Sequence, residues 1–198
     1  MKSRSEIKSI AKQSFSNRYW PCVGIFIVFG ILLSALGSTL IFTGPVYAGI
    51  TMYAVNSYRG DDATFKVPFT GRIIGGGCCM LVFECLWSML FIIPGIIKSY
   101  SYSLTPYILG FYPNVKATKA ITLSRRIMNG HKWELFVMQL SFIGWFLLSC
   151  ITFGIVDIFY ASPYYQLSIG GYYDELVNNA IATGIVSQDE LDGKVEIA

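Results

Sequence analysis

The chain has 198 residues, of which 54% are hydrophobic and 14% charged, with a net charge of +3. Soluble domains carry roughly 25% charged residues, and monomers rarely leave exposed the apolar surface that this composition would present to water. A bilayer is the natural solvent for such a chain, and the slight positive balance gives no reason to invoke a nucleic-acid partner.

Residues 1–19 carry Lys2, Arg4, Lys8, Lys12 and Arg18 against the single acid Glu6. Ser3 and Glu6 have the spacing of a capping box. Ile7, Ile10, Ala11 and Phe15 then fall on one helical face, which predicts a basic amphipathic helix on an anionic cytoplasmic leaflet. Trp20 to Phe42 is an uncharged run, long enough to cross a hydrocarbon core of about 30 Å and longer than a cleavable signal core. It predicts an uncleaved first span. Gly44-Pro45 reads as a turn, and the short apolar run 46–57 as a second span, with a polar loop over 58–72.

A third apolar segment runs from Ile73 to Ile97. Gly75–Gly77 suit close packing at its start, Glu84 interrupts it, and Pro94-Gly95 breaks it. Residues 96–111 alternate hydroxyls with aromatics and read as a fourth, polar-faced span forming a hairpin with the third. Residues 114–129 predict a second basic amphipathic helix, stopped by Gly130. Trp133–Cys150 makes a fifth span, 152–154 a tight turn and Ile155–Tyr172 a sixth. The tail 174–198 is acidic. Fourteen of the fifteen Lys and Arg residues fall in segments 1–19, 58–72, 113–132 and 174–198. The intervening turns near 43–45, 94–95 and 151–154 carry none, so the positive-inside rule places both termini in the cytoplasm.

These readings define an all-α membrane protein with about six transmembrane helices arranged as three hairpins, plus two basic surface helices. Residues 1–19 form the cytoplasmic amphipathic helix, 20–173 a single polytopic domain that includes helix 114–129, and 174–198 an acidic cytoplasmic tail. The strings FIIPGIIKSYSYSLTPYIL (91–109), AITLSRRIMNGHKWELF (120–136) and QLSFIGWFLLS (139–149) resemble a family of bacterial membrane proteins known as domain of unknown function 975. TGPVYAGITMY (43–53) followed by Arg59-Gly60 is similar to it as well, so the likeness covers roughly 40–175. A more distant similarity is to the membrane domain attached to some glycerophosphodiester phosphodiesterases. The family resemblance implies a bacterial cytoplasmic membrane and brings no established activity.

Ionisable groups inside spans are costly and mark functional candidates. Lys98 and Asp157 each fall within about 6 Å of the outer membrane face at 1.5 Å per residue. They can pair there, or each can snorkel to the headgroups. Glu84 falls roughly 15 Å below that face, as a proton or substrate handle or as a structural hydrogen-bonding group. Ser99, Tyr102 and Ser103 give the fourth span a polar face that either lines a cavity or bonds helices together. Together these six residues make a candidate intramembrane polar site. Cys22, Cys78, Cys79, Cys85 and Cys150 sit in apolar runs without metal-ligand spacing, the aromatic residues near span ends suit an interfacial belt, and no phosphate-loop, dinucleotide or zincin motif occurs. The expected protein is not an enzyme and needs no cofactor or metal. It is a small transporter or a lipid- or peptide-handling module; the alternative is an accessory or immunity-type interaction protein. Its expected partners are the bilayer and anionic lipids at the basic helices.

Overall fold

The structure is a computed structural model that describes residues 2–36, 40–61, 69–90 and 92–194, with side chains for all of these except 32–36, 40–43, 84–90 and 92–94. Every regular element among the described residues is helical, which bears out the all-α expectation. In chain order the helices are α1 (Arg4–Asn17), α2 (Tyr19–Leu36), α3 (Leu40–Arg59), α4 (Gly71–Leu90), α5 (Ile92–Tyr102), α6 (Thr105–Phe111), α7 (Ala117–Ile127), α8 (Lys132–Leu140), α9 (Ile143–Ile151), a π-helical turn (Asp157–Ala161), α10 (Ser162–Ala182) and α11 (Gln188–Leu191).

The predicted capping box forms at α1: Ser3 Oγ accepts from the Glu6 amide at 3.3 Å and Glu6 Oε2 accepts from the Ser3 amide at 2.7 Å. The apolar stripe does not face lipid, however. Ile7, Ala11 and Phe15 are buried, and α1 packs along α10. The second basic helix behaves alike. Ala120, Ile121, Leu123 and Ile127 are buried as α7 packs on α4, α5 and α6. An amphipathic stripe on a short helix fits a protein groove as well as a membrane surface, and here the protein takes it.

Several predicted turns fall inside helices. Gly44-Pro45 lies inside α3, where the proline removes one intrahelical hydrogen bond. Its purpose is visible in packing: a Cβ on Gly44 would lie 2.8 Å from the Ile73 carbonyl oxygen and 2.9 Å from Gly77 Cα. The two helices thus meet backbone to backbone at Gly44 and Gly77. Pro94-Gly95 sits in the first turn of α5, where a missing amide proton costs nothing. The stretch expected as a fourth span is two helices, broken at Ser103-Leu104, with Pro106 in the first turn of α6. The stretch expected as a fifth breaks at Ser141-Phe142. Lys8 from α1 reaches this second break, donating to Ser141 Oγ at 2.7 Å and lying 4.2 Å over the Phe142 ring. Burial pushes its ammonium below the usual lysine range. The turn at 152–154 is as expected, with Phe153 and Gly154 at φ 50° and 83°.

The last long helix does not stop at residue 173. α10 continues to Ala182, carrying Asp174 into the core rather than into an acidic tail. Beyond it the chain turns back so that Val186 and Leu191 are buried and Glu190 meets Arg126 at 3.0 Å. A second capping box, Ser187 with Glu190, organises α11. The Ser187 amide bond, assisted by Arg126, holds the Glu190 carboxyl below its ordinary value of 4.5. A depressed acid contributes stability above its unfolded value and loses it as the pH falls through the folded one. Protection factors of the amides at 184–194 are therefore expected to fall below about pH 4.5, and Glu190→Gln should flatten that dependence.

Burial divides the molecule into two ends. Side chains of α1, α6, α7, the second half of α3 and the second half of α10 close a conventional core. Ile31, Val82, Leu147, Ile151, Phe153 and Ile155, by contrast, are exposed, Phe153 by 96%. Trp20 and Trp133 also face outward, at 74% and 71%, while Tyr164, Tyr172 and Tyr173 of the expected aromatic belt are buried. Tyr172 instead donates to the His131 carbonyl at 3.2 Å. Among the described residues, one helical run, Lys132–Ile151, is long and apolar enough to cross a membrane, with a mean hydropathy of 1.7 and only 22% of it buried.

Candidate functional site

A cleft of about 440 Å3 opens between α3, α4, the α5–α6 break, α8 and α10. Its apolar walls come from Ile50, Met80, Leu81, Leu109 and Ile169. Its polar groups are neutral: Tyr47, Thr51, Ser99, Ser103, Thr105, Gln139, Tyr165, Gln166 and Tyr173. This size and mixture are those of small-molecule pockets, where apolar surface supplies affinity and a few placed polar groups fix orientation. Tyr47 is 46% exposed and forms an outer rim, its ring 5.9 Å from Phe29 of α2.

The helix break makes the polar wall. Ser99 and Ser103 have the spacing of one helical face, and ending α5 at Tyr102 and restarting at Thr105 brings Thr105 to the same space. Ser103 Oγ donates back to the Tyr100 carbonyl at 2.9 Å, one of the bonds that satisfies the α5 end. Thr105 Oγ1 is fully buried and has no hydrogen-bond partner, while its residue lines the cleft. An unsatisfied buried hydroxyl costs about 1–3 kcal/mol, and a rotation of the side chain that presents it to a guest in the cleft recovers that cost. Gln139 is held from two sides, accepting from Tyr100 at 2.5 Å and donating to Tyr165 at 3.0 Å.

Of the five predicted site residues whose side chains are described, the cleft contains Ser99 and Ser103. Tyr102 is buried and packs 6.3 Å from the Phe83 ring. Glu84 belongs to α4, and its side chain lies outside the described residues. Lys98 and Asp157 do not pair. Lys98 lines a basic cleft with Arg125 and Lys132, whereas Asp157 lines an apolar one with Phe26, Phe29 and Ile158. Asp157 Oδ1 is buried without a hydrogen-bond partner. α5 packs onto α7 and α8 while the π-helical turn packs onto α2, so equal depth by residue count does not bring the two side chains together.

A partly buried ionic centre, not predicted from the sequence, joins α3, α6 and α10. Arg59 donates from Nε to Asp174 Oδ2 at 3.1 Å and from Nη2 to Asp174 Oδ1 and to Tyr107 Oη, the last at 3.1 Å. Tyr107 in turn donates to Asp174 Oδ1 at 2.9 Å. Phe111 lies 5.2 Å beneath the guanidinium. The Asp174 hydrogen bond raises the Arg59 guanidinium above its already high ordinary value. Arg72 nearby donates to the carbonyls of Leu109, Tyr112 and Val115 at 2.7, 3.0 and 2.7 Å. It closes the orphan end of α6. Arg59 and Arg72 fall at the two ends of the predicted polar loop 58–72, and nothing local in the sequence marks the distant groups they bond. Cys22 accepts from Tyr53 at 3.2 Å in the core, Cys150 is exposed rather than buried, and Cys85 lies outside the described side chains. Among the described residues no cluster of His, Cys, Asp and Glu has metal-ligand geometry.

Fold and site together define an all-α bundle with one exposed apolar end and a neutral polar cleft at its centre. The chain belongs to the family described as "Protein of unknown function (DUF975)", whose model matches residues 74–180 and so spans α5 to α9 and most of α4 and α10. No curated protein and no solved structure matches the chain.

Proposed function

We propose that this protein is a non-enzymatic lipid-handling module of the bacterial cytoplasmic membrane that binds an uncharged, hydroxylated amphiphile in the central cleft. It sits in the bilayer through its exposed apolar end as a multi-pass protein, and both termini are cytoplasmic. The exposed apolar end supports the membrane reading, because a monomer in water rarely leaves so much apolar surface uncovered. The outward Trp20 and Trp133 have the amphipathic character favoured at membrane interfaces.

The observation that carries the ligand class is Thr105 Oγ1, buried and unpartnered in a lining of hydroxyls, amides and apolar side chains. A lining of neutral donors and acceptors satisfies alcohol or ester groups and offers no counter-ion to a charged headgroup. Acyl or prenyl chains lie against Ile50, Leu81 and Ile169 and leave past Tyr47.

Photolabelling tests this directly. Purified protein is irradiated with a photoactivatable diacylglycerol in detergent micelles, and the labelled peptides are mapped. Label is expected on 99–109 or 165–173. Ser99→Phe, which fills the cleft, should cut labelling about tenfold; Thr105→Val, which removes one hydrogen bond at constant volume, should cut it about two- to tenfold. Labelling that is unchanged in both variants, with thermal midpoints preserved, would rule the proposal out.

A further inference from the structure

A second cleft, of about 400 Å3, opens where α5, α7 and the start of α8 meet. Four cationic side chains converge on it, Lys98, Arg125, Arg126 and Lys132, together with the Asn129 amide. The fold brings them together from three elements. Ser124 donates to the Ser101 carbonyl at 2.8 Å and ties α7 to α5. The left-handed Gly130, at φ 88°, then reverses the chain and returns Lys132 to the cluster.

The hydroxyls in this cleft are already committed. Ser101 donates to the Ile97 carbonyl at 2.9 Å and Thr122 to the Thr118 carbonyl at 3.2 Å. Glu190 engages Arg126 at 3.0 and 3.3 Å, which orients that guanidinium. The recognition elements left to a guest centre on Arg125, Lys132 and Asn129. Like charges gathered in one concavity repel one another, and a multidentate anion relieves that repulsion while taking several charge-assisted bonds.

The position of the cleft says what carries the anion. Ile96 and Ile97, immediately before Lys98, are 52% and 49% exposed. Trp133, immediately after Lys132, is exposed and stacks 5.2 Å from Phe136. The cleft therefore lies on the seam between the exposed apolar end and the polar end. We infer that it binds the phosphate group of an anionic membrane lipid, whose acyl chains lie on Ile96 and Ile97. The inference rests on the membrane reading above, and it assigns a site and a headgroup class distinct from the neutral cleft.

The test is a binding titration of the full-length protein in neutral detergent. Probes are short-chain phosphatidylglycerol, phosphatidylcholine with the same chains, and inorganic phosphate. Each juxtamembrane cation contributes about a fivefold gain toward anionic lipid. The double variant Arg125→Ala/Lys132→Ala should therefore weaken phosphatidylglycerol about 25-fold and leave phosphatidylcholine unchanged. Lys12→Ala, which removes an exposed charge from α1, should leave both unchanged. Inorganic phosphate that binds as tightly as phosphatidylglycerol, and is lost in the double variant, would keep the phosphate site and reassign its source to a soluble ligand. Equal affinity for the two lipids, or an equal loss in Lys12→Ala, overturns the site. Diacylglycerol photolabelling in the same double variant should persist, which separates failure of this site from failure of the central cleft.

Discussion

Arg59→Ala is expected to lower stability by about 3–5 kcal/mol, the usual consequence of stranding a buried charge by removing its partner. The stranded group is Asp174, whose side chain is 7% exposed. The reverse deletion should cost less. Arg59 is 36% exposed, so in Asp174→Ala its guanidinium can turn toward water, and about 1.5–3 kcal/mol of charge-assisted hydrogen bonding is lost. The double variant should fall short of the sum of the two by about 0.5–3 kcal/mol, because the second deletion removes a partner that is already gone. Arg59→Lys keeps the charge but cannot make the two-pronged contact to the carboxylate while also reaching Tyr107, so it should recover only part of the loss. Thermal midpoints in one detergent, ranked across these four variants, check the prediction. An Arg59→Ala midpoint equal to that of Lys12→Ala would show that the ionic centre contributes nothing. Its placement makes that outcome a severe test: Arg59 ends α3, Tyr107 lies in α6 and Asp174 in α10, so one cluster joins three helices that frame the central cleft.

Gly77→Leu should be nearly as damaging, for a steric reason. A Cβ at Gly77 would lie 2.5 Å from Gly44 Cα and 3.1 Å from Gly44 N. Backbone atoms have no rotamer to yield, so α3 and α4 must separate, and overpacking of this kind costs about 1–3 kcal/mol or more. Gly75 lies two residues away in the same helix, and a Cβ there meets nothing within 4 Å. Gly75→Ala is therefore expected to be neutral or to stabilise by up to about 1 kcal/mol through helix propensity. Gly44 and Gly77 both line the central cleft, so Gly77→Leu should also abolish photolabelling by the neutral lipid. Measuring midpoint and labelling together distinguishes a wall that has moved from a bundle that has come apart. If Gly75→Ala and Gly77→Leu behave alike, the close approach of the two helices is wrong.

The sequence by itself determined the helical elements and the composition of the cleft wall. Capping residues at Ser3 and the left-handed turn at Gly154 act over a few residues, and so could be read locally. The hydroxyl-rich stretch 99–107 likewise announced a polar face, because side-chain chemistry at helical spacing survives whatever the helix packs against. The resemblance carried by residues 91–109 and 120–149 agrees with the family match over 74–180. Tertiary structure alone decided which groups meet. Gly44-Pro45 is a turn by dipeptide preference, yet it serves inside α3 because its lack of a Cβ lets α4 approach. Lys98 and Asp157 had matching depth by counting residues, but packing set one against α7 and the other against α2. Arg59 and Asp174 are 115 residues apart, and no local pattern encodes a contact at that separation. The stripes of α1 and α7 marked apolar faces correctly and left open what would cover them. That choice depends on whether a groove of the right shape exists elsewhere in the chain, which is a property of the assembled bundle and not of any segment.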